Sequence, residues 1–475
     1  MIKLDKIERN HLFKLFYSVG KTFKEMIGVV LASGVLVKWI GIRLGVLISG
    51  TLIIMLLIYS ILEWKKNIFI VRENSIYHKE GVFNIKRTEI PLEKVNTVDI
   101  SESFFERIFN VATIKIDTGD AKEDGSDLKF TLNRERAEEL RDTLVKGNAD
   151  NYIKIDTLKN EQAYYKIGLK ELFIYSIISN SIFKGLAILL AMEQFIQEKI
   201  NKILKFNVNT SKYIGEINHI TFYRKIYMIV TIVFIILFIS VCLSIIYNFI
   251  KYYNFKLSAD NNKICIDYGA LNKKHYSFDR KKIKGIHLKQ SVLMQLFDYF
   301  TIEIESIGYG DEHGEKAMLY PICNNQLKDK ILKNLINEFV YEGNFSKPLS
   351  SAYPSFFYKK IIFWIIIVFT IEFIKPKIIL VSAALLIFLF IIGHMEFKNT
   401  ALGINKNLVY VCHNSFNKTQ SILKMQAVQS VTLSYNYFQH IKRFCNYKII
   451  LYSSDYGKEL KVKNLKDNIM DEFFR

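Results

Sequence analysis

Proline is nearly missing from this chain, five among 475 residues, a bias that together with abundant Ile, Lys and Asn fits an AT-rich bacterial genome. Cysteine is equally sparse, at positions 242, 265, 323, 412 and 445, an odd count without a Cys-x-x-Cys pair. A disulfide framework is thereby excluded as the organising principle, and the thiols are expected to be reduced. The familiar catalytic signatures are absent too: no P-loop, His-Glu-x-x-His, Gly-x-Ser-x-Gly or dinucleotide fingerprint. No cleavable leader is evident, because Lys3, Lys6, Arg9, Lys14, Lys21 and Lys24 interrupt the apolar residues of the N-terminal segment. The resulting expectation is a protein with no enzyme site, no cofactor and no metal site.

What the chain does have is apolar residues in long runs. Its hydrophobic content is 50% and its formal net charge +19. A chain of this length suggests about three domains at roughly 150 residues each. A bilayer core about 30 Å thick needs roughly 20 apolar residues in a helix. Six runs approach this: Met26–Val37 (extended through Trp39 and Ile40), Leu44–Leu62, Leu172–Met192, Ile226–Ile250, Ile361–Ile374 and Ile378–Ile392. The connectors Lys38–Arg43 and Lys375–Lys377 are too short for a domain, so the runs pair as hairpins. The middle pair has a longer connector, about Glu193–Lys225. Lys65, Lys66, Lys166, Lys170, Lys359 and Lys360 flank the runs on the domain side, which is therefore expected to be cytoplasmic. Arg224, Lys225, Lys375 and Lys377 argue the other way. The expected localisation is a multi-pass bacterial cell-membrane protein with both termini cytoplasmic. Lys184 and Glu372 fall inside runs. An intramembrane charge costs on the order of 3 kcal/mol and often marks a transport path. The plainer alternative is that Lys184 snorkels and Glu372 sits at the interface near Lys375.

Between the runs lies an internal repeat. A shift of 188 residues carries Asn74, Gly81 and Asn84 onto Asn262, Gly269 and Asn272, and a shift of 333 carries them onto Asn407, Asn414 and Asn417. Val95, Val98 and Ile100 fall on Ile283, Ile286 and Leu288, then on Val428, Val431 and Leu433. Gly81 and Gly269 suit a hairpin turn needing positive φ, and Asn414 is the next most tolerant residue there. Asn74, Asn262 and Asn407 are read as a second tight turn. Ile114-Lys-Ile116, Ile302-Glu-Ile304 and Tyr447-Lys-Ile449 alternate as half-buried strands. Each copy is expected to end in an amphipathic helix, beginning near Asn133, Asn324 and Asn464.

The strand–turn–strand openings Ile76–Asn84, Ile264–Asn272 and Val409–Asn417, the apolar triplet after them and the closing helix resemble the bacterial pleckstrin-homology-like (PH-like) membrane proteins of the YdbT type. The resemblance implies an α+β membrane protein: six transmembrane helices in three hairpins, and three PH-like partly open β-barrel domains, each closed by a helix. The expected divisions are 1–66 (basic N-terminus and first hairpin), 67–150 (first domain), 151–253 (second hairpin), 254–345 (second domain), 346–395 (third hairpin) and 396–475 (third domain). It further implies a membrane scaffold in envelope maintenance or stress resistance, working with a smaller single-domain relative.

Other motifs weigh less. Asp120, Asp124, Gly125 and Asp127 imitate a calcium loop, but Lys122 and Thr131 occupy ligand positions. Gly308, Gly310 and Gly314 lack the following helix that a phosphate site needs. Cys412-His413 has no second pair for a metal, and His78 and His275 do not align under the repeat. Lys86, Arg87, Lys273, Lys274 and Lys418 follow the first turn of each copy and are the candidates for anionic lipid headgroups, at about 1 kcal/mol per charge. The bland reading is a solvated turn. Nucleic acid is not expected, since the positive charge is spread along membrane flanks rather than gathered with stacking aromatics. Two functions stand: a non-enzymatic scaffold for a protein partner or membrane lipid, and a transport component using Lys184 and Glu372.

Overall fold

A computed structural model describes residues 7–20, 42–95, 97–118, 128–146, 164–179, 185–188, 222–260, 263–306, 318–374, 379–405, 407–451, 459–466 and 469. In the first repeat, β1 (Ile7–Arg9), β2 (Ile68–Val71), β3 (Ser75–Glu80) and β4 (Lys86–Pro91) form one antiparallel sheet. The strands β5 (Thr97–Glu102), β6 (Val111–Asp117) and β7 (Leu128–Asn133) begin the next. Helices α1 (residues 12–20) and α2 (Ile42–Lys66) belong to the first hairpin region. A short α3 (Phe104–Ile108) joins β5 to β6, and α4 (Arg134–Lys146) closes the unit. The alternation expected at Ile114 and Ile116 is real: both are buried in β6 while Lys115 between them is not. From α4, Ala137, Leu140 and Leu144 enter the same core, at helical spacing.

The plan recurs. The second repeat has β8 (Tyr164–Lys166), α5 (Leu169–Ile178), α6 (Phe222–Tyr252), β9 (Lys256–Asp260), β10 (Lys263–Tyr268) and β11 (Lys273–Asp279). It continues with β12 (Ile283–Gln290), α7 (Val292–Leu296), β13 (Tyr299–Ser306), β14 (Met318–Asn324) and α8 (Asn325–Leu335). The third has α9 (Tyr358–Ile374), α10 (Ile379–Lys398), β15 (Ala401–Ile404), β16 (Leu408–His413), β17 (Lys418–Lys424) and β18 (Val428–Ser434). It ends with α11 (Tyr437–Ile441), β19 (Phe444–Leu451) and β20 (Glu459–Lys466).

Two features depart from the sequence reading. The opening strand of each domain comes from before the hairpin: β1 pairs with β2, setting Ile7 opposite Ile70, and β8 pairs with β9, setting Tyr165 opposite Leu257. In the third repeat a single bridge between Ser346 and Leu402 takes that place. The apolar segment between these partners is thus inserted within a β-domain, and divisions at 66/67 and 253/254 separate a strand from its sheet. Three residues carry no readable periodicity, and the pairing spans the whole hairpin. Second, Asn464 does not cap a helix. It lies inside β20 at φ +55, where its Oδ1 accepts from Gln439 Nε2 at 2.6 Å and its N–H donates to Asn446 Oδ1 at 3.1 Å. Asn324 does cap α8, accepting from the Leu327 N–H at 2.9 Å, and α4 starts directly after Asn133.

Among the described residues two helical stretches are long and apolar enough to cross a membrane: Val230–Tyr252, with mean hydropathy 2.9, and Ser350–Phe369, with 1.4. Helix also covers the runs within α2 and α10. The run at 26–40 lies outside the described residues, as do Lys184, the acidic loop at 120–127 and the glycines at 308–314. Six membrane helices therefore rest on hydropathy. Where pairs are described, α5 packs on α6 and α9 on α10. A Cβ on Gly185 would run into the Ser240 carbonyl, so the third and fourth runs approach closely.

The domains share sheets. One sheet runs β7-β6-β5-β11-β10-β9-β8 and another β14-β13-β12-β17-β16-β15. In the second and third domains the last strand of the first sheet thus pairs with the first strand of the preceding domain's second sheet.

Candidate functional site: exposed apolar tips and domain junctions

The turn between the third and fourth strands of each domain takes left-handed backbone at Gly81 (φ +99), Gly269 (φ +113) and Asn414 (φ +72). A Cβ at Gly269 would meet the Asn272 carbonyl oxygen, and the same holds at Gly81 against Asn84. These turns pack on the helical runs. Lys66 Nζ donates to the Val82 carbonyl at 3.2 Å, and the Ala270 N–H donates to Ile250 O at 2.9 Å. Phe83 stacks on Tyr59 of α2 at 6.2 Å, and Phe416 meets Phe388 of α10 at 5.5 Å. The companion turns at Asn74 and Asn407 use their carbonyls alike, accepting from Leu92 and Met425, each at 2.9 Å. Asn262 lies outside the described residues. At Asn417 the carbonyl accepts from Thr419 Oγ1 at 3.1 Å.

A short helix is built the same way three times, and two of its copies lie against the turn of the following domain, Arg107 donating to the Ala270 carbonyl and Gln295 to the Ser415 carbonyl. Ser103, Ser291 and Asn436 cap α3, α7 and α11, each accepting from a backbone N–H three residues on. Asn110, Asp298 and Arg443 close them at φ +53, +54 and +54. The outward side chains are apolar: Phe104, Phe105 and Ile108 in α3, Val292, Leu293 and Leu296 in α7, and Tyr437, Phe438 and Ile441 in α11. Phe105 is 65% exposed, Leu296 73% and Phe438 75%. The cap of α7 also donates, through Ser291 Oγ, to the Ile178 carbonyl inside the third apolar run. Large apolar groups recur at one repeated place in the domain, which distinguishes them from scattered surface residues. Phe104-Phe105 falls on Tyr437-Phe438 under the shift of 333 residues, but the exposure of these doublets carries no signal in periodicity.

The basic candidates do not converge. Lys86 and Arg87 lie exposed on β4, with Lys86 3.4 Å from Glu80. Lys273 faces Glu102 and Lys274 faces Ser101 across the first junction, while Lys418 faces Gln290 across the second. The first junction holds a cleft of about 360 Å³ that mixes Lys273, Lys274 and Arg134 with Glu102 and Asp267. Lys273 and Lys274 are thus drawn into a domain contact of both charge signs.

A more basic cleft, about 430 Å³, lies where α9 and α10 meet the third domain. Lys359, Lys360, Lys448, Lys461 and Lys463 line it, around Glu396. Glu396 accepts from Lys360 Nζ and Lys463 Nζ, both at 2.7 Å. Burial opposes its ionisation, yet these two bonds and charges outweigh that and hold the carboxyl below its ordinary range. Sequence reading used Lys359 and Lys360 only for orientation; the other three lysines come from strands distant in sequence. Glu372 lies in α9, with its side chain outside the described residues.

Ordinary site chemistry is sparse. Burial pushes the Cys323 thiol up to about 12 and raises Cys265 and Cys412, so these thiols are protonated packing groups at neutral pH. Among the described residues no cluster of His, Cys, Asp or Glu could hold a metal.

A family model described as a bacterial PH domain matches twice, over residues 22–147 and 209–335. The chain belongs to the bacterial PH domain family. The first match takes in both apolar runs ahead of its β-domain and the second takes in the run at 226–250, and each ends at the close of the domain's helix. The third domain repeats the strand plan of the first two. The UPF0699 transmembrane protein YdbT of Bacillus subtilis (strain 168) is 23% identical over 437 residues, spanning 89% of this chain and 87% of that protein. This bacterial PH domain protein is accordingly a membrane protein.

Proposed function

We propose that the chain is a non-enzymatic, multi-pass scaffold that holds three PH-like domains flat on the cytoplasmic leaflet, for binding anionic lipid and a protein partner. The observation that supports it is the threefold recurrence of an exposed apolar short helix in domains whose turns pack on the apolar runs. Such tips sink into the interface while the sheets stay in water. The basic cleft around Glu396 is the headgroup site on this reading, because lysines gathered at the base of a helix pair attract anionic lipid. The protein partner would be a smaller membrane protein of the same family.

The test replaces Phe105 and, separately, Phe438 with Trp in the full chain, reconstituted in vesicles containing lipids brominated on the acyl chain. Both tryptophans, read as difference signals over the three native ones, should be quenched and blue-shifted. Emission like that of a water-exposed indole at both positions would end the proposal.

A further inference from the structure

We propose that copies of this chain join head to tail within the membrane plane, the free strand β18 of one chain pairing antiparallel with the free strand β4 of the next. This goes beyond the lipid reading and stands on strand geometry alone.

The chain already makes this junction twice. Across the first, Glu102 faces Lys273, Ser101 faces Lys274 and Ile100 faces His275. Across the second, Gln290 faces Lys418, Lys289 faces Thr419 and Leu288 faces Gln420. Under the repeat shifts these are the same three pairs, so the register is a property of the domain. The short helix adds the same contact at both. Arg107 donates to the Ala270 carbonyl at 2.5 Å, and Gln295, its counterpart, donates to the Ser415 carbonyl at 3.0 Å. Each carbonyl belongs to the residue after the left-handed turn position. The third counterpart is His440, again a donor, whose target in a following domain would be Val82 O.

Among the described residues two strands of this kind lack a neighbour on one side: β4 ends the first sheet and β18 ends the last. Their exposure shows what the junction covers elsewhere. Ile286, His287 and Leu288 of β12 are 0%, 1% and 4% exposed. Their counterparts Val431, Thr432 and Leu433 in β18 are half-buried, exposed and half-buried. Edge strands normally carry charge or proline that blocks addition of another strand. Val428–Ser434 has neither in seven residues. Its irregularity between Val428 and Ser430 is no guard, since paired β12 has the same one between Ile283 and Gly285. Among the described residues, the one element of the type that β5 and β12 accept, and that is still free, is β4. A second copy is therefore the occupant. Continuing the register sets Tyr435 opposite Ile85, Ser434 opposite Lys86 and Leu433 opposite Arg87. Such a contact is heterologous and propagates into rings or rows.

The experiment co-expresses two differently tagged full-length chains, one Ser434→Cys and one Lys86→Cys, and oxidises native membranes. Facing residues place their Cβ atoms about 4.5–5.5 Å apart, within disulfide reach. A disulfide-linked band bearing both tags is expected. It should fall to background with Glu80→Cys in place of Lys86→Cys, and when Thr432→Lys is added to the Ser434→Cys chain. Absence of the mixed-tag band overturns the proposal. So does a link forming only within single chains that carry both cysteines, because the two free edges would then close on each other. A band of equal strength at position 80 overturns it too. If Thr432→Lys lowers membrane levels, the comparison of positions 86 and 80 still decides.

Discussion

Truncating Ile422 to alanine tests whether neighbouring domains are one cooperative unit. Ile422 belongs to the third repeat, yet it is 5% exposed and buried in the core of the second, opposite Ile286 across the shared sheet. The substitution removes three buried carbons, about 2.4 kcal/mol at about 0.8 kcal/mol each, and the cavity left behind takes the cost into a range of about 2–5 kcal/mol. Because β12 and β17 hold each other, this loss should appear on both sides of the junction. Hydrogen exchange followed by mass spectrometry, on the full chain in nanodiscs, is the assay. Amides of 283–306 and of 408–424 should both lose protection, by about 30-fold at 2 kcal/mol if they open together. Val431→Ala, at the counterpart of Ile286 on the free edge, should cost under about 1 kcal/mol because it removes fewer, half-buried carbons. Faster exchange confined to 408–424, with 283–306 unchanged, would refute the shared-core reasoning.

Two further outcomes follow from particular residues. Gly269→Val should destabilise the second domain by about 1–3 kcal/mol, from the strained left-handed backbone alone, with more from the clash at Asn272 O, whereas Asn414→Gly should leave the third domain's denaturation midpoint nearly unchanged. His78 is held below its ordinary value of 6.5, first by burial, and contacts Asn67 Oδ1 at 3.0 Å. The unfolded chain therefore takes up the proton first, so the first domain should keep full stability above pH 6.5 and lose it as pH falls below that; His78→Gln should flatten this part of a stability-against-pH curve.

The local geometry of this protein is written in its sequence. Left-handed turn positions require Gly or Asn, so Gly81, Gly269 and Asn414 mark the same turn three times. Alternation fixes which face of β6 is buried, and the Asn324 side chain starts α8 where a cap must. These are interactions over a few residues, and a linear pattern can carry them. Where the local signal was ambiguous it misled: Asn464 suits a cap or a left-handed strand position equally, and its partners Gln439 and Asn446 decided for the strand. Tertiary structure alone decided the rest. That β1 and β8 complete sheets across entire hairpins, that domains share sheets through β5–β11 and β12–β17, and that five lysines meet around Glu396 all depend on pairings distant in sequence. The energy of such pairings comes from groups with no reason to be near one another until the chain has folded, so no local period records them.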